Sequence, residues 1–167
     1  MKSVEAIKIL HRCDLEGRIL FRSRELGALF DERGDTLRST IKRLTADGIL
    51  ERVAHDAYLY LLFHPNGCDL LGHIAAFLRP GGATYESLES AASQWGFISQ
   101  IPLGRISCVT TGAEGLVDTR FGAIEFVHTD DDLDAVKRGI IDRMPRNRLP
   151  IATEERCLHD LVSRKRS

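Results

Sequence analysis

A chain of 167 residues with 43% hydrophobic side chains can bury one compact core or two small ones. It contains no apolar run long enough to span a membrane as a helix, and its first residues do not form a signal peptide. The formal net charge is −1, with 11 basic against 10 acidic side chains in residues 1–64 and 12 against 14 in residues 65–167, so affinity for a polyanion must come from a local patch rather than from bulk charge.

Residues 4–10 read as a leading helix whose Val4, Ile7 and Leu10, followed by Leu15 and Ile19, are expected to pack under the next elements. Ser23 is placed to cap a helix bearing Leu26, Leu29 and Phe30 at i, i+3, i+4 spacing. Arg33-Gly34 is the turn, with glycine where a left-handed residue costs least. Asp35 is then expected to cap a second helix over 36–47, with Leu37, Ile41 and Leu44 on one face. Thr36, Arg38, Ser39, Lys42 and Arg43 fill its other positions, and all are donors to phosphates or base edges. Gly48 ends this helix. Residues 49–53 and 58–61 are β-prone and are joined by Ala54-His55-Asp56-Ala57, a hairpin whose tip is expected to carry Arg52 and His55.

Helix, turn, helix and hairpin in that order are the layout of a winged helix-turn-helix, which lays its second helix in the DNA major groove. The expected DNA contacts are therefore Thr36, Arg38, Ser39, Lys42 and Arg43, with Arg52 and His55 on the wing. His64-Pro65-Asn66-Gly67 breaks the pattern, which divides the chain into a DNA-binding domain, 1–64, and a second domain, 65–167.

The second half reads as α+β, a mixture of helices and a small sheet packed against the first domain. Asp69 can cap a helix through Arg79 that carries Leu70, Ile74, Phe77 and Leu78, and Pro80-Gly81-Gly82 stops it. Thr84 is expected to cap another helix with Tyr85, Leu88, Ala91, Ala92 and Trp95 at helical spacing, ended by Gly96. Residues 106–110 predict a strand, and 116–119 with 123–127 a hairpin around Arg120-Phe121-Gly122. Asp130, Asp131, Asp132 and Asp134 read as a solvated acidic loop. Residues 139–144 form a weaker strand, and Pro145 and Pro150 bound a basic loop, Arg146-Asn147-Arg148; Arg143, Arg146 and Arg148 read first as solvated and second as phosphate contacts. Thr153 opens a final helix held down by Leu158, Leu161 and Val162.

The four cysteines, at 13, 68, 108 and 157, form no C-x-x-C pair, which points to reduced thiols and a cytoplasmic setting. His64 with Cys68 and Cys157 with His159 are isolated neighbours without a matching second pair, so no metal and no cofactor are expected. Asp118 and Glu125 on adjacent strands offer the acidic pair of a metal-dependent nuclease, but Val127 stands where its lysine belongs. No nucleophile triad, phosphate loop or zinc-protease motif is present, and the chain is read as a non-enzyme. A ligand-sensing pocket lined by Trp95 and Phe97 is the competing use of the second half, although both aromatics read first as core.

Four segments carry a family resemblance. Tyr85-Glu86-Ser87-Leu88-Glu89-Ser90-Ala91 followed by Trp95-Gly96-Phe97-Ile98, then Val109-Thr110-Thr111, then Arg120-Phe121-Gly122-Ala123-Ile124-Glu125-Phe126, then Ile151-Ala152-Thr153-Glu154-Glu155-Arg156-Cys157-Leu158-His159-Asp160-Leu161 resemble, in order and spacing, the motifs of AbiEi-type antitoxins. The pattern departs at Glu154, where the family has proline, and at Cys157 and His159, which replace small and aliphatic positions. The resemblance implies a winged-helix repressor that binds inverted repeats in double-stranded promoter DNA, expected here to act as a homodimer. It further implies the antitoxin of a type IV toxin–antitoxin pair, which counteracts a nucleotidyltransferase-like toxin functionally rather than by a stable complex. An orphan regulator whose second half senses a ligand or a protein is the alternative.

Overall fold

The computed structural model describes residues 1–63, 69–100, 102–143 and 148–166. The expectations for His64-Pro65-Asn66-Gly67, Cys68, Met144, Pro145 and Arg146 lie outside these residues. The protein is a mixed α+β chain that divides into two compact units, Met1–Gly67 and Cys68–Ser167.

In the first unit, α1 (Ser3–Leu15), α2 (Ser23–Phe30) and α3 (Gly34–Ala46) surround a three-stranded antiparallel sheet of β1 (Leu20–Phe21), β2 (Leu50–Ala54) and β3 (Ala57–Tyr60), in the order β1-β3-β2. Ala6, Leu10 and Cys13 of α1 meet Phe21, Leu26, Phe30, Ile41, Leu44, Leu50 and Tyr60 in one core. The predicted face of α1 is rotated. Val4 and Leu15 are exposed, because Ala6, Leu10 and Cys13 form a buried stripe at i, i+4, i+7.

Both predicted caps also move. Arg22, not Ser23, is the N-cap of α2, and Glu25 reaches back to accept the Arg22 backbone N–H at 2.7 Å. Arg33, not Asp35, occupies the N-cap of α3, and Asp35 lies in its first turn as an exposed ion-pair partner of Arg38. Gly34 takes the left-handed backbone expected of it, at φ 55°, and Asp31 does the same at the end of α2, at φ 51°.

The second unit is built on a six-stranded mixed sheet in the order β6-β7-β5-β4-β9-β8: β4 (Thr84–Glu86), β5 (Arg105–Thr110), β6 (Gly115–Thr119), β7 (Gly122–His128), β8 (Ile140–Ile141) and β9 (Ile151–Ala152). β5 pairs parallel with β7, and β4 parallel with β9. Tyr85, Val109 and Ile151 pack with α5 (Leu88–Gln94), α6 (Leu133–Arg138) and α7 (Glu154–Lys165). Asp69 caps α4 (Leu70–Leu78) through the Gly72 N–H, as its sequence predicts, and α4 packs against β4, β5 and β7.

Three expectations here are corrected. Thr84 and Tyr85 belong to a strand rather than to a helix, since the helical spacing of Tyr85 with Leu88 and Ala92 is coincidental to a strand–helix junction at Ser87. The acidic run is exposed at Asp130, Asp132 and Asp134 as expected but is not a plain loop: Asp132 caps α6, and Asp131 pairs with Arg156 at 2.6 Å. On α7, Thr153 caps as predicted by accepting the Arg156 N–H, but Leu158 and Val162 face outward, and Arg156, Cys157 and Asp160 are buried instead.

Those buried polar residues explain the orientation of α7. The Asp160 carboxylate accepts the Tyr85 hydroxyl at 2.9 Å, the Ser87 hydroxyl at 2.8 Å and the Arg156 guanidinium at 3.0 Å. Arg156 also donates to the Tyr85 oxygen at 3.0 Å. Burial and the neighbouring Asp160 push the Tyr85 phenol far above its ordinary range, which keeps it a proton donor. Removing one member of such a network strands the others in a place water does not reach. Asp160→Ala should therefore cost about 3–5 kcal/mol, whereas Leu158→Ser should stay within about 0.5 kcal/mol. Urea unfolding followed by the fluorescence of Trp95, the single tryptophan, checks both; equal losses would contradict the assignment.

Candidate nucleic-acid interface

All five predicted positions on α3 are exposed. At about 100° per residue they do not form one patch. Arg38 and Lys42 lie on the flank that faces the β2–β3 hairpin, Ser39 points directly away from the core, and Thr36 and Arg43 lie on the other flank. The Arg43 guanidinium donates to the Met1 carbonyl there, beside Glu32.

The hairpin completes the first group. Arg38, Lys42 and Arg52 line a single open cleft of about 550 Å3 together with the apolar surfaces of Leu37, Ile41 and Tyr58. Arg52 is not at the hairpin tip, as expected from sequence. It sits within β2 opposite Tyr58, and the turn is only His55-Asp56. His55 is at the tip, exposed, and its Nδ1 lies 3.4 Å from the Arg52 guanidinium. The cleft therefore presents three cations around an apolar floor. The Arg38–Asp35 pair, 2.8 Å long and almost fully solvated, holds Arg38 only weakly.

One carboxylate fixes the hairpin against the helices. Asp56 takes a left-handed backbone, φ 49°, a conformation aspartate tolerates better than most residues. Its Oδ1 accepts both the Ser23 N–H at 2.8 Å and the Ser23 hydroxyl at 2.5 Å at the start of α2. Arg22 donates to the carbonyls of His55 and Asp56, at 3.4 and 3.2 Å. Partial burial pushes the Asp56 carboxyl up, but the Ser23 hydrogen bonds and the Arg22 charge outweigh it and hold the group below the usual aspartate value. Glu32 is lowered too, first by a hydrogen bond from Thr40 and then by the N-terminal ammonium, which lies 2.9 Å away. Asp56, Arg22 and Glu32 carry no local pattern that marks these roles, because each partner lies about 30 residues away in sequence.

In the second unit several residues of the alternative readings are held by structural contacts. Glu125 is held by Arg105 at 2.8 Å and Arg164 at 2.6 Å, and in the β6–β7 register it faces Leu116, not Asp118. Trp95 packs against the core and donates to the Ala152 carbonyl at 2.9 Å, whereas Phe97, expected in the core, is exposed. Arg143, expected to be solvated or else a phosphate contact, forms a nearly buried ion pair with Glu86 at 2.8 Å. Cys157 points inward at the Leu88 carbonyl, and burial pushes its thiol up to about 11, so it does not converge with exposed His159. Asp131, Asp160 and His159 do approach one another, but the Arg156 guanidinium pairs with both carboxylates.

No protein-family model and no curated protein matches the chain. Among solved structures it is similar to the RV2827C protein from Mycobacterium tuberculosis, with a TM-score of 0.67 at 16% sequence identity. The match covers 99% of this chain and 62% of that one, so this chain spans under two thirds of its structural neighbour. A likeness at that identity carries the fold alone.

Because the folded-state values of Asp56 and Glu32 are lowered, their stabilisation is fully present above the ordinary values of 3.8 and 4.5 and is lost as pH falls through the lowered ones. Acidification through the lowered Asp56 value should therefore loosen the hairpin from the start of α2. An NMR titration should place the Asp56 midpoint below 3.8; a midpoint at or above it would contradict the clamp.

Proposed function

We propose that the first unit is a winged helix-turn-helix that binds double-stranded promoter DNA, with α3 as the recognition helix and the β2–β3 hairpin as the wing. The observation that carries this reading is the cleft where Arg38 and Lys42 of α3 meet Arg52 of the hairpin. A 13-residue helix about 20 Å long, exposed along one side, suits the major groove. Ser39 on its outermost line is then the base-edge donor, and Arg38, Lys42 and Arg52 hold the adjoining phosphates. Thr36 near the N-terminus of α3 and Arg43 on the far flank meet the opposite strand, and His55 at the wing tip reaches the backbone or the minor groove.

The cellular role follows from the resemblance in the second unit. Tyr85, Ser87 and Asp160, which belong to two of its four motifs, are bonded to one another in a single buried network. This supports reading the unit as an AbiEi-type domain and the protein as a cytoplasmic, homodimeric repressor. In that role it autoregulates a type IV toxin–antitoxin operon and counteracts a nucleotidyltransferase-like toxin. It needs no cofactor for this and performs no catalysis.

Fluorescence anisotropy with the DNA upstream of its own gene tests the site. Lys42→Ala and Arg52→Ala should weaken binding to all sequences alike and each lower the salt slope by about 1. Ser39→Ala should leave the salt slope alone and relax preference at one position by about 1–3 kcal/mol. Unchanged binding in all three variants would overturn the assignment.

A further inference from the structure

The outer face of α7 is unexplained by anything above. Leu158 and Val162, one turn apart, are 48% and 49% exposed. The ion pairs of this helix use Arg156, Asp160 and Arg164, all directed at its own unit. The exposed stripe that remains reads, from one end to the other, Glu154 and Glu155, then Leu158 and Val162, then Lys165 and Arg166. Acidic residues at the start and basic residues at the end suit the dipole of a lone helix. That leaves the two solvated aliphatic side chains between them without a role.

We propose that this face pairs with the same face of a second copy, the two helices running antiparallel about a two-fold axis. The stripe is complementary to itself when reversed. Centred between Leu158 and Val162, the antiparallel register sets Leu158 against the second copy's Val162, Glu155 against its Lys165 and Glu154 against its Arg166. A two-fold axis repeats each contact, so one interface joins four aliphatic side chains and four pairs of opposite charge. Only a second copy reversed on the first satisfies both charged ends at once. A parallel pairing would set acid against acid and base against base.

The interface gives the homodimer of the proposed repressor its contact surface, and the pairing itself requires no DNA. One pair of short helices buries a small area, so the free dimer is weak. Two copies held on neighbouring half-sites meet at high effective concentration, where a weak contact suffices for cooperative occupancy.

Sedimentation equilibrium of the full chain without DNA tests the pairing separately from the DNA reading. Wild-type protein should self-associate. Glu154→Lys with Glu155→Lys should weaken association by about tenfold or more, as should Lys165→Glu with Arg166→Glu. An equimolar mixture of the two double variants should associate again, because each variant's reversed end then meets the other's. Leu158→Ser with Val162→Ser should abolish association in a protein whose Trp95 fluorescence is unchanged. Wild-type protein that stays monomeric at high concentration, or a mixture that fails to associate, would overturn the proposal.

Discussion

The Asp56 carboxylate is the constraint on which the candidate interface depends. The hairpin and α3 are separate elements, and Arg52 reaches Arg38 and Lys42 only if the hairpin stands at a fixed angle to the helices. The two hydrogen bonds from Ser23 to Asp56, backed by Arg22 on the turn carbonyls, supply that angle from the start of α2. The turn is strained for an L-residue at φ 49°, and the same side chain that tolerates the strain makes the bonds that repay it. Local backbone geometry, helix capping and the alignment of three cations are therefore one feature.

A second carboxylate does the equivalent work in the other unit. Asp160 binds Tyr85 and Ser87 from the β4–α5 junction and Arg156 from its own helix, so strand, junction and helix are fixed by one group. The junction includes Leu88 at φ 54°, an unusual conformation for a branched side chain. Its carbonyl accepts the Cys157 thiol at 3.5 Å, which ties the strained residue to α7 as well. The motif residues that carry the family resemblance are thus mostly structural. The buried ones specify how a helix docks on a sheet.

Much of the first unit was legible because its helices are amphipathic and its hairpin alternates. Leu26 with Phe30, and Ile41 with Leu44, fell where periodicity put them. The rotated face of α1 was missed because Val4 and Leu15 are larger than the Ala6 and Cys13 that are buried, and a hydrophobic pattern favours size. β1, two residues long, is held by pairing with β3 about 40 residues away in sequence, which no local pattern announces. In the second unit the misreadings share a cause. Leu158 and Val162 were expected inside, yet they are exposed, because a distant tyrosine and serine draw Asp160 and Arg156 into the interior instead. Glu86 and Arg143 are buried as a pair across 57 residues, and neither is interpretable alone. The five α3 positions were correctly read as exposed, but their division between two flanks follows from where the hairpin stands.

The most direct test of DNA recognition is a titration of the purified protein into the duplex upstream of its own gene, at two salt concentrations and against a scrambled duplex of equal length. The account predicts binding that prefers the native duplex by 10³-fold or more, on the order expected of specific regulators, and that weakens steeply with salt. Equal affinity for both duplexes, or none for either, would contradict it.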